Sequence, residues 1–428
     1  MNRVTEIILL TFILVIGLLL IFKSPIWSPI DEGAHFAYIE TIVREKRLPI
    51  LKKDYISWQV LSIDEKKYPQ KTETDPKKVG LGGCVYEAFQ PPLYYLAAAP
   101  IFLLGGENYY TKIGLLRFFG FLQYLVVLYL VYKIFKKFNL SSYLFFILAL
   151  LPGFLLRSIT ISNAITEILI WTFIFYFMAT RMADEDGAKK ILILATLTGL
   201  AILTKITSVF LIPAILLWLT ITKRKFKPLY GLFVIIPLLM LSPWLYWNWQ
   251  NYHSLTPNKL AIEMQTPVID PKGELGGAYI LKNLDQIFHY GFVFAQEQGV
   301  LLAKSQMMRV TETLFVLLFI LVAIYALIKT IKVAISTIKK RQILPEEKCF
   351  LLSSLFFLSN LAALFWIAIT WAMPPTRHLY PTLAALFIVL KMFLDDYVKK
   401  GKIRIVYFIL ILTVVLSNLV IIANLFSM

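Results

Sequence analysis

Residues 7–22, "IILLTFILVIGLLLIF", form an uninterrupted apolar run, and residues 28–49, "SPIDEGAHFAYIETIVREKRLP", follow a few positions later. The apolar run predicts a membrane-spanning helix at about residues 5–22. No small-x-small cleavage motif comes after it, so we expect an uncleaved first span rather than a signal peptide. The second stretch places two carboxylates and a histidine at the point where the chain leaves this span.

The composition extends this pattern to the whole chain of 428 residues. Hydrophobic residues make up 58% of the sequence and charged residues only 16%, whereas a soluble protein carries about 25% charged residues. Apolar runs of nearly twenty residues recur from end to end, which predicts an all-α polytopic membrane protein. The net charge of +17 is expected from Lys and Arg in cytoplasmic loops, so we infer no nucleic-acid partner and expect membrane lipids as the surroundings.

The distribution of Lys and Arg predicts a bundle of about 11 transmembrane helices with the N-terminus inside. We expect a single membrane-embedded domain over residues 1–428, with residues 23–112 as a first outer loop carrying juxtamembrane helices and residues 249–310 as a second outer segment. Leu93–Leu104 is too short to cross a hydrocarbon core of roughly 30 Å, so it predicts an interfacial or re-entrant helix. The spans are predicted at about 5–22, 113–132, 142–158, 164–181, 191–222 (a hairpin of two short helices with Lys205 near the middle), 229–248, 312–329, 349–371, 379–394 and 403–425.

The carboxylates after the first span allow two interpretations. Ser28 can cap a helix, Pro29 suits its first position, and Asp31 then falls at the third, close to a capping box. A cap requires neither the second carboxylate, Glu32, nor His35, which lies one turn beyond Asp31 on the same face. From the spacing alone, a helix cap and a catalytic site are equally supported.

Other polar residues at the same predicted membrane depth also have two interpretations. Asn163 suits a helix cap, and Lys205 could extend its ammonium to the outer interface or bind an anion such as a phosphate. Arg377 and His378 present donors suited to phosphate. In "YEAFQPPLYYLAAAP" (residues 86–100), Glu87 could be solvated surface, Tyr94 could belong to an interfacial aromatic belt, and Gln90 precedes the proline pair.

The cysteines and histidines indicate no dedicated metal or disulfide site. Cys84 and Cys349 fall on opposite sides of the membrane in the predicted topology, and the four histidines lack zinc-motif spacing. A divalent cation on Asp31, Glu32 and His35 is an alternative that the residue types allow. No other cofactor is indicated.

In its ordered motifs the chain resembles the polytopic GT-C glycosyltransferases, which use polyprenyl-phosphate-linked sugars and include the protein O-mannosyltransferases and the lipid A aminoarabinose transferases. The resemblance covers roughly residues 5 to 395. The motifs that carry it are Asp31-Glu32 with His35, "LP" at 48–49, "QPPLYYLAAAP" at 90–100, "GLAILTK" at 199–205 and "RHLYP" at 377–381.

The resemblance implies a transferase with its active site on the outer face of the cell membrane, acting on a lipid, glycan or protein acceptor. Asp31 would be the general base that deprotonates the acceptor, and Glu32 would position the acceptor or share the charge. Phosphate would leave by direct displacement with inversion. The resemblance assigns the donor phosphate to Lys205, Arg377 and His378, and support of the site to His35, Glu87, Gln90, Tyr94 and Asn163.

The chain departs from the family pattern at two places near the predicted site. Where relatives usually carry Gly-Arg-Tyr before the late Leu-Pro element, this chain has Thr376-Arg377-His378. Relatives often carry Asp after the Asn of the "SN" turn, but here the residue is Ala164, with Glu167 three positions on. Two alternative functions stay open: a transporter or flippase of a lipid-linked anion, which would use the same cations and aromatic belts, and a non-catalytic membrane scaffold, which Ala164 suggests. A transporter needs a polar path through the membrane, whereas the predicted polar residues lie on one side, and no inverted repeat is found.

Overall fold

The computed structural model describes residues 3–27, 31–61, 63, 83–182, 186–223, 226–269, 306–340, 343–371, 376–398 and 400–427. Throughout these ranges the regular structure is helical, apart from one isolated bridge between Tyr55 and Cys84. The helices are α1 (Arg3–Lys23), α2 (Glu32–Glu45), α3 (Trp58–Leu61), α4 (Leu93–Leu104), α5 (Tyr109–Lys137), α6 (Ser142–Ala149), α7 (Pro152–Ser158), α8 (Ala164–Arg181), α9 (Ala188–Thr204), α10 (Leu211–Lys223), α11 (Leu232–Tyr252), α12 (Asn258–Ile269), α13 (Gln306–Lys340), α14 (Pro345–Trp371), α15 (Leu383–Tyr397) and α16 (Lys400–Ser427). Short 3₁₀ segments occur at Tyr86–Phe89, Ile206–Phe210, Pro228–Gly231 and Thr376–Thr382.

The chain is a multi-pass helical membrane protein, as the composition predicts. Within the described ranges, 8 helical segments are long and apolar enough to cross a bilayer, so the predicted count of 11 is not confirmed. The short helix predicted at Leu93–Leu104 is found with those bounds. The 8 segments are Glu6–Lys23, Tyr109–Lys137, Ala164–Arg181, Ile206–Lys223, Pro228–Tyr252, Leu317–Lys339, Pro345–Ile367 and His378–Tyr397.

The single span predicted over residues 142–158 is wrong. The run is divided into α6 and α7, and nearly every residue of both short helices is buried. Pro152 causes the division because proline has no N–H to continue the ladder and forces the preceding residue out of the helical region. Leu151 has φ −57° and ψ 115°, and Pro152 then starts α7.

The predicted pair of short helices in residues 191–222 is present as α9 and α10. Lys205 breaks the helix with an extended backbone (φ −157°, ψ 127°), and a 3₁₀ turn follows before α10 begins. The two helices have different main packing partners, α11 for α9 and α14 for α10. The break therefore lies inside the bundle, where it aims the Lys205 side chain at neighbouring helices.

Two large buried apolar clusters and a small third one (Ile202, Leu241 and Trp244) organise the described part of the chain. The larger one fills the helix bundle. The second large cluster lies where α2 packs on α4 and α4 packs on α5. Aromatic rings dominate this second cluster because they bury large areas and stack in defined geometries. It contains Trp27, Phe36, Tyr38, Tyr94, Tyr95 and Phe102.

Candidate active site

Asp31 occupies the first position before α2 in an uncommon backbone conformation. Its φ is 73° and its ψ −7°, in the left-handed region, and its side chain makes no capping hydrogen bond. The helix begins at Glu32, so the predicted third helical position for Asp31 is wrong. The predicted cap Ser28 and first residue Pro29 lie outside the described residues. Aspartate tolerates left-handed backbone better than most residues. The Asp31 carboxylate accepts a hydrogen bond at Oδ1 from the Tyr86 hydroxyl at 2.9 Å.

Glu32 forms a buried ion pair with Arg117 of α5. The Arg117 Nε and Nη2 atoms donate to Glu32 Oε1 at 2.9 Å and Oε2 at 2.7 Å. The side chains of Glu32 and Arg117 are 0% and 2% exposed. The same carboxylate also accepts from the backbone N–H groups of Trp27 at 3.3 Å and Ile161 at 3.2 Å. These four bonds saturate a carboxylate that can accept about four.

Arg117 is equally committed to the protein. Besides Glu32 it donates to the backbone carbonyls of Ile21 at 3.3 Å, Ser24 at 2.8 Å and Pro25 at 2.9 Å. All five N–H groups of the guanidinium are thereby used. Since the pair ties the end of α1 to the start of α2, it fixes the backbone that presents Asp31. The geometry therefore favours a positioning role for Glu32 over the acceptor contact expected from the sequence.

Gly120, one turn after Arg117 on α5, allows α5 and the end of α7 to pack closely against each other. A Cβ atom there would lie 2.4 Å from the Ser158 carbonyl oxygen at the end of α7. No side chain fits that space, so α5 and α7 can approach only through glycine. The approach holds the Arg117 turn next to the segment that contains Ile161.

His35 and the aromatic side chains form a buried layer behind Asp31. His35 Nδ1 lies 2.8 Å from the Tyr95 hydroxyl, and the Tyr95 ring stacks on Tyr38 with centroids 3.6 Å apart. The Tyr38 hydroxyl donates to the Gln90 carbonyl at 3.1 Å. Burial raises the pKa of Tyr38 well above its usual value, so this side chain stays a neutral donor. Tyr94, also buried, packs edge-on against Tyr95.

Asn163 connects the segment that contains Gln90 to the bundle. It immediately precedes α8, but its side chain makes no capping bond, so the cap interpretation is wrong. Instead its Nδ2 donates to Gln90 Oε1 at 3.2 Å and to the Thr204 carbonyl at 3.1 Å. Thr204 is the residue before Lys205. The amide therefore links the segment that carries Tyr86 and Gln90 to the helix break at Lys205.

Replacing Asn163 by Ala is expected to lower the free energy of unfolding by about 1–3 kcal/mol, because Gln90 Oε1 and the Thr204 carbonyl would lose a buried donor. Thermal or denaturant unfolding in detergent measures this. The matched control is Asn108→Ala, which removes an exposed cap accepting from Thr111 N–H and should cost about 1 kcal/mol or less. A loss no larger than that of the control would show that the bridge does not hold the two segments together.

Lys205 is buried and paired, which excludes the interpretation that it extends to the interface. Its Nζ lies 3.1 Å from Glu167 Oε2 of α8 and 3.0 Å from His378 Nδ1, and its side chain is 9% exposed. Glu167 Oε1 also accepts hydrogen bonds from Thr207 at 3.0 Å and Ser208 at 3.4 Å. The structure thus brings together two of the predicted phosphate-binding residues, Lys205 and His378, and adds a carboxylate.

Glu87 and Arg377 are the remaining predicted site residues. Glu87 is buried, 6% exposed, in the 3₁₀ segment Tyr86–Phe89, so the solvated-surface interpretation is wrong. Arg377 belongs to the 3₁₀ segment with His378, but its side chain lies outside the described residues. In the parts of the chain that the structure covers, no group of three His, Cys, Asp or Glu side chains is placed to hold a metal ion.

Sequence reasoning did not identify three residues of this site. Tyr86, Arg117 and Glu167 make the contacts to Asp31, Glu32 and Lys205 described above. A signal existed for two of them, since an Arg and a Glu inside apolar runs are costly and call for partners. The signal did not identify the partners, because each partner comes from a distant part of the sequence.

Comparison with known proteins agrees with this architecture. Residues 90–247 match the family described as dolichyl-phosphate-mannose-protein mannosyltransferase. The crystal structure of ArnT from Cupriavidus metallidurans bound to undecaprenyl phosphate superposes with a TM-score of 0.50 at 13% identity, covering 92% of this chain and 61% of that one. This chain has the GT-C fold. The apo oligosaccharyltransferase of Archaeoglobus fulgidus gives a TM-score of 0.51 at 13% identity, covering 99% of this chain and 56% of that one.

These matches confirm the resemblance to the GT-C superfamily that the sequence motifs suggested. At 13% identity the two solved structures establish only the fold. The chemistry of the site has to be inferred from the residues of this chain. The chain spans 61% and 56% of the lengths of the two proteins. No curated protein matches its sequence.

Proposed function

We propose that this chain is a membrane glycosyltransferase that moves a sugar from a polyprenyl-phosphate carrier to an acceptor at the outer face of the membrane. Asp31 acts as the general base and the reaction inverts the anomeric carbon. The proposal treats residues 1–428 as one catalytic domain, with 23–112 and 249–310 on the outer side. The GT-C fold, the match to a mannosyltransferase family and the undecaprenyl phosphate bound by ArnT support the choice of donor.

The observation that carries the proposal is the backbone conformation of Asp31 together with its hydrogen bond to Tyr86. A carboxylate that merely started a helix would have ordinary backbone and would bond to N–H groups of the first turn. Asp31 instead sits in the left-handed region without a capping bond, and its partner is a tyrosine hydroxyl from another segment. Backbone of this kind costs about 1–3 kcal/mol and is concentrated at functional sites. In this proposal the neighbouring Glu32–Arg117 pair maintains the left-handed backbone of Asp31, because it fixes the start of α2.

The proposed reaction is a single displacement. The acceptor O–H or N–H gives its proton to the Asp31 carboxylate while the acceptor atom bonds to the anomeric carbon. The bond from that carbon to the phosphate oxygen breaks, and its electron pair stays on the phosphate. Lys205 and His378 donate hydrogen bonds to the developing anion, and Arg377 would add a third donor. No oxidant, reductant or nucleotide is needed.

Glu167 sets the charge of the proposed phosphate site. Paired with Lys205 across 3.1 Å, it compensates the buried ammonium when no donor is bound. A buried cation without such a partner would be costly. Glu167 is therefore a positioning residue that keeps Lys205 inside the bundle, ready to share its protons with a phosphate.

Removing the Lys205 ammonium is expected to weaken donor binding by about 10- to 100-fold and to lower turnover as well, since the charge would meet phosphate in both the ground and transition states. Lys205→Met alone would strand Glu167, so the variant to measure is Lys205→Met with Glu167→Gln. The matched control is Glu167→Gln alone. Binding of a fluorescent polyprenyl-phosphate sugar gives the two dissociation constants, and equal values would contradict the assignment of Lys205.

The proposed activity itself is tested by incubating the purified chain with a panel of polyprenyl-phosphate sugars and candidate acceptors. Mass spectrometry should find released polyprenyl phosphate together with one glycosylated product. If the lipid-linked compound only crosses the bilayer of a proteoliposome without losing its sugar, the chain is a transporter. If neither product nor transport is found across the panel, the catalytic proposal loses its support.

A further inference from the structure

The 3₁₀ segment Thr376–Thr382, which carries His378, ends at a threonine whose hydroxyl does not cap the next helix. A threonine at an N-cap ordinarily accepts a hydrogen bond from an N–H group of the first helical turn. Thr382 is the N-cap residue of α15, but its side chain makes no such bond. Its Oγ1 donates instead to the Leu379 carbonyl at 3.1 Å. The hydroxyl therefore stabilises the 3₁₀ segment rather than the start of α15.

Asn360 of α14 is the second partner of this hydroxyl. Its Nδ2 donates to Thr382 Oγ1 at 3.1 Å, and the two residues are only 3% and 2% exposed. Asn360 lies within the candidate spanning segment Pro345–Ile367. An amide inside a spanning helix is costly to bury unless its hydrogen bonds are made, so its presence there points to a role. Through Thr382 the amide is joined to the carbonyl of Leu379, the residue that follows His378.

The apolar contacts of the 3₁₀ segment hold it in the bundle without setting its orientation. Leu379 and Tyr380 are 1% and 2% exposed, and the centroids of the Tyr380 and Phe154 rings lie 5.8 Å apart. The hydrophobic effect that buries these side chains is non-directional. A 3₁₀ turn also has poorer internal hydrogen-bond geometry than an α-helix. The directional bonds of Thr382 supply the orientation that burial alone does not.

The orientation of the segment decides which ring nitrogen of His378 meets Lys205. Lys205 Nζ lies 3.0 Å from His378 Nδ1. An ammonium group has three donors and no acceptor, so Nδ1 accepts and the neutral ring carries its proton on Nε2. The Nε2–H group is directed away from Lys205. In the proposed function this N–H is the one that donates to the phosphate of the sugar donor.

We propose that Asn360 is a positioning residue for His378. By holding Thr382 it sets the rotation of the 3₁₀ segment, keeps Nδ1 against the Lys205 ammonium and so fixes the Nε2–H tautomer. Asn360 acts only through the backbone of the segment and not by contact with reacting atoms. The inference rests on the proposed function for the use of this tautomer in phosphate binding, whereas the contact between Lys205 and His378 does not depend on that function.

The tautomer of His378 is measured by NMR of the ring nitrogens in the full chain, labelled at histidine and held in lipid nanodiscs. The chain has four histidines, and the signals of His378 are those that His378→Gln removes. The variant to compare is Asn360→Leu with Thr382→Val, which replaces both partners by apolar groups of similar shape and therefore changes stability little. We expect the Nε2–H form alone in the unchanged protein and both neutral tautomers in the variant. Binding of a fluorescent polyprenyl-phosphate sugar should weaken about tenfold, the equivalent of one hydrogen bond to a charged group.

The matched control is Asn418→Leu on α16. Asn418 is also buried, and its Nδ2 donates to the Leu150 carbonyl at the end of α6 at 2.7 Å. The control should leave the His378 tautomer unchanged. An unchanged tautomer in the double variant, or an equal change in the control, would overturn the proposal. If the tautomer changes as expected while donor binding stays the same, the positioning role stands and the phosphate contact of His378 in the proposed function is contradicted.

Discussion

Replacing Asp31 by Asn is expected to slow single-turnover sugar transfer by about 10²- to 10⁴-fold while the protein stays folded. An amide cannot take the acceptor proton, so a general base is lost. Asparagine is nearly isosteric, tolerates the left-handed φ of 73° found at this position, and can still accept from the Tyr86 hydroxyl. Rapid-quench transfer from a synthetic polyprenyl-phosphate sugar measures the rate, and donor binding should change little.

The control for this variant is Tyr86→Phe. It removes the hydrogen bond to Asp31 Oδ1 without touching the carboxylate, so the loss should be closer to tenfold. If Tyr86→Phe slowed sugar transfer as much as Asp31→Asn does, the Asp31–Tyr86 pair would matter for structure rather than for proton transfer. Near-normal transfer by Asp31→Asn would remove Asp31 from the mechanism altogether.

Replacing Arg117 by Met is expected to lower the free energy of unfolding by about 3–5 kcal/mol, which corresponds to roughly 10²- to 10⁴-fold in the folding equilibrium. The substitution leaves the Glu32 carboxylate charged and 0% exposed, with only backbone N–H partners. It also removes every donor from the carbonyls of Ser24 and Pro25. Thermal unfolding of the purified protein in detergent reports the loss.

Arg44→Met is the matched control for Arg117. Arg44 also pairs with a buried carboxylate, Glu40, at 3.0 Å, but its own side chain is 47% exposed. Glu40 keeps hydrogen bonds from Ser57 and Tyr109 when the arginine is gone, so the cost should be about 1 kcal/mol or less. Similar losses in the two variants would show that the Glu32–Arg117 pair does not anchor the start of α2.

Much of the fold could be predicted because the thickness of the bilayer sets the length of the apolar run that a spanning helix needs. The membrane class, the short helix Leu93–Leu104 and the break of the helix near Lys205 were all predicted from the sequence and are found. The run 142–158 was not, because its length suited a span. What divides it is Pro152 and the packing of two short helices inside the bundle.

The candidate site residues could be predicted from the sequence, whereas their partners could not. Motif order singled out Asp31, Lys205 and His378, and the last two are found in contact. The pairs Glu32–Arg117 and Glu167–Lys205 join residues that are 85 and 38 positions apart in the sequence. A charged residue inside an apolar run predicts that a partner exists. Local spacing does not show which residue it is, because the partner is distant in the sequence. The left-handed backbone of Asp31 is likewise fixed by tertiary contacts rather than by its neighbours in sequence.

The configuration of the new glycosidic bond tests the central claim most directly. If Asp31 deprotonates an acceptor that attacks the sugar in one displacement, the anomeric centre must invert. We therefore predict that NMR of the product formed from a donor of defined anomeric configuration will show the opposite configuration. Retention would require a covalent glycosyl-enzyme intermediate or an equivalent second displacement, and it would contradict the role proposed here for Asp31.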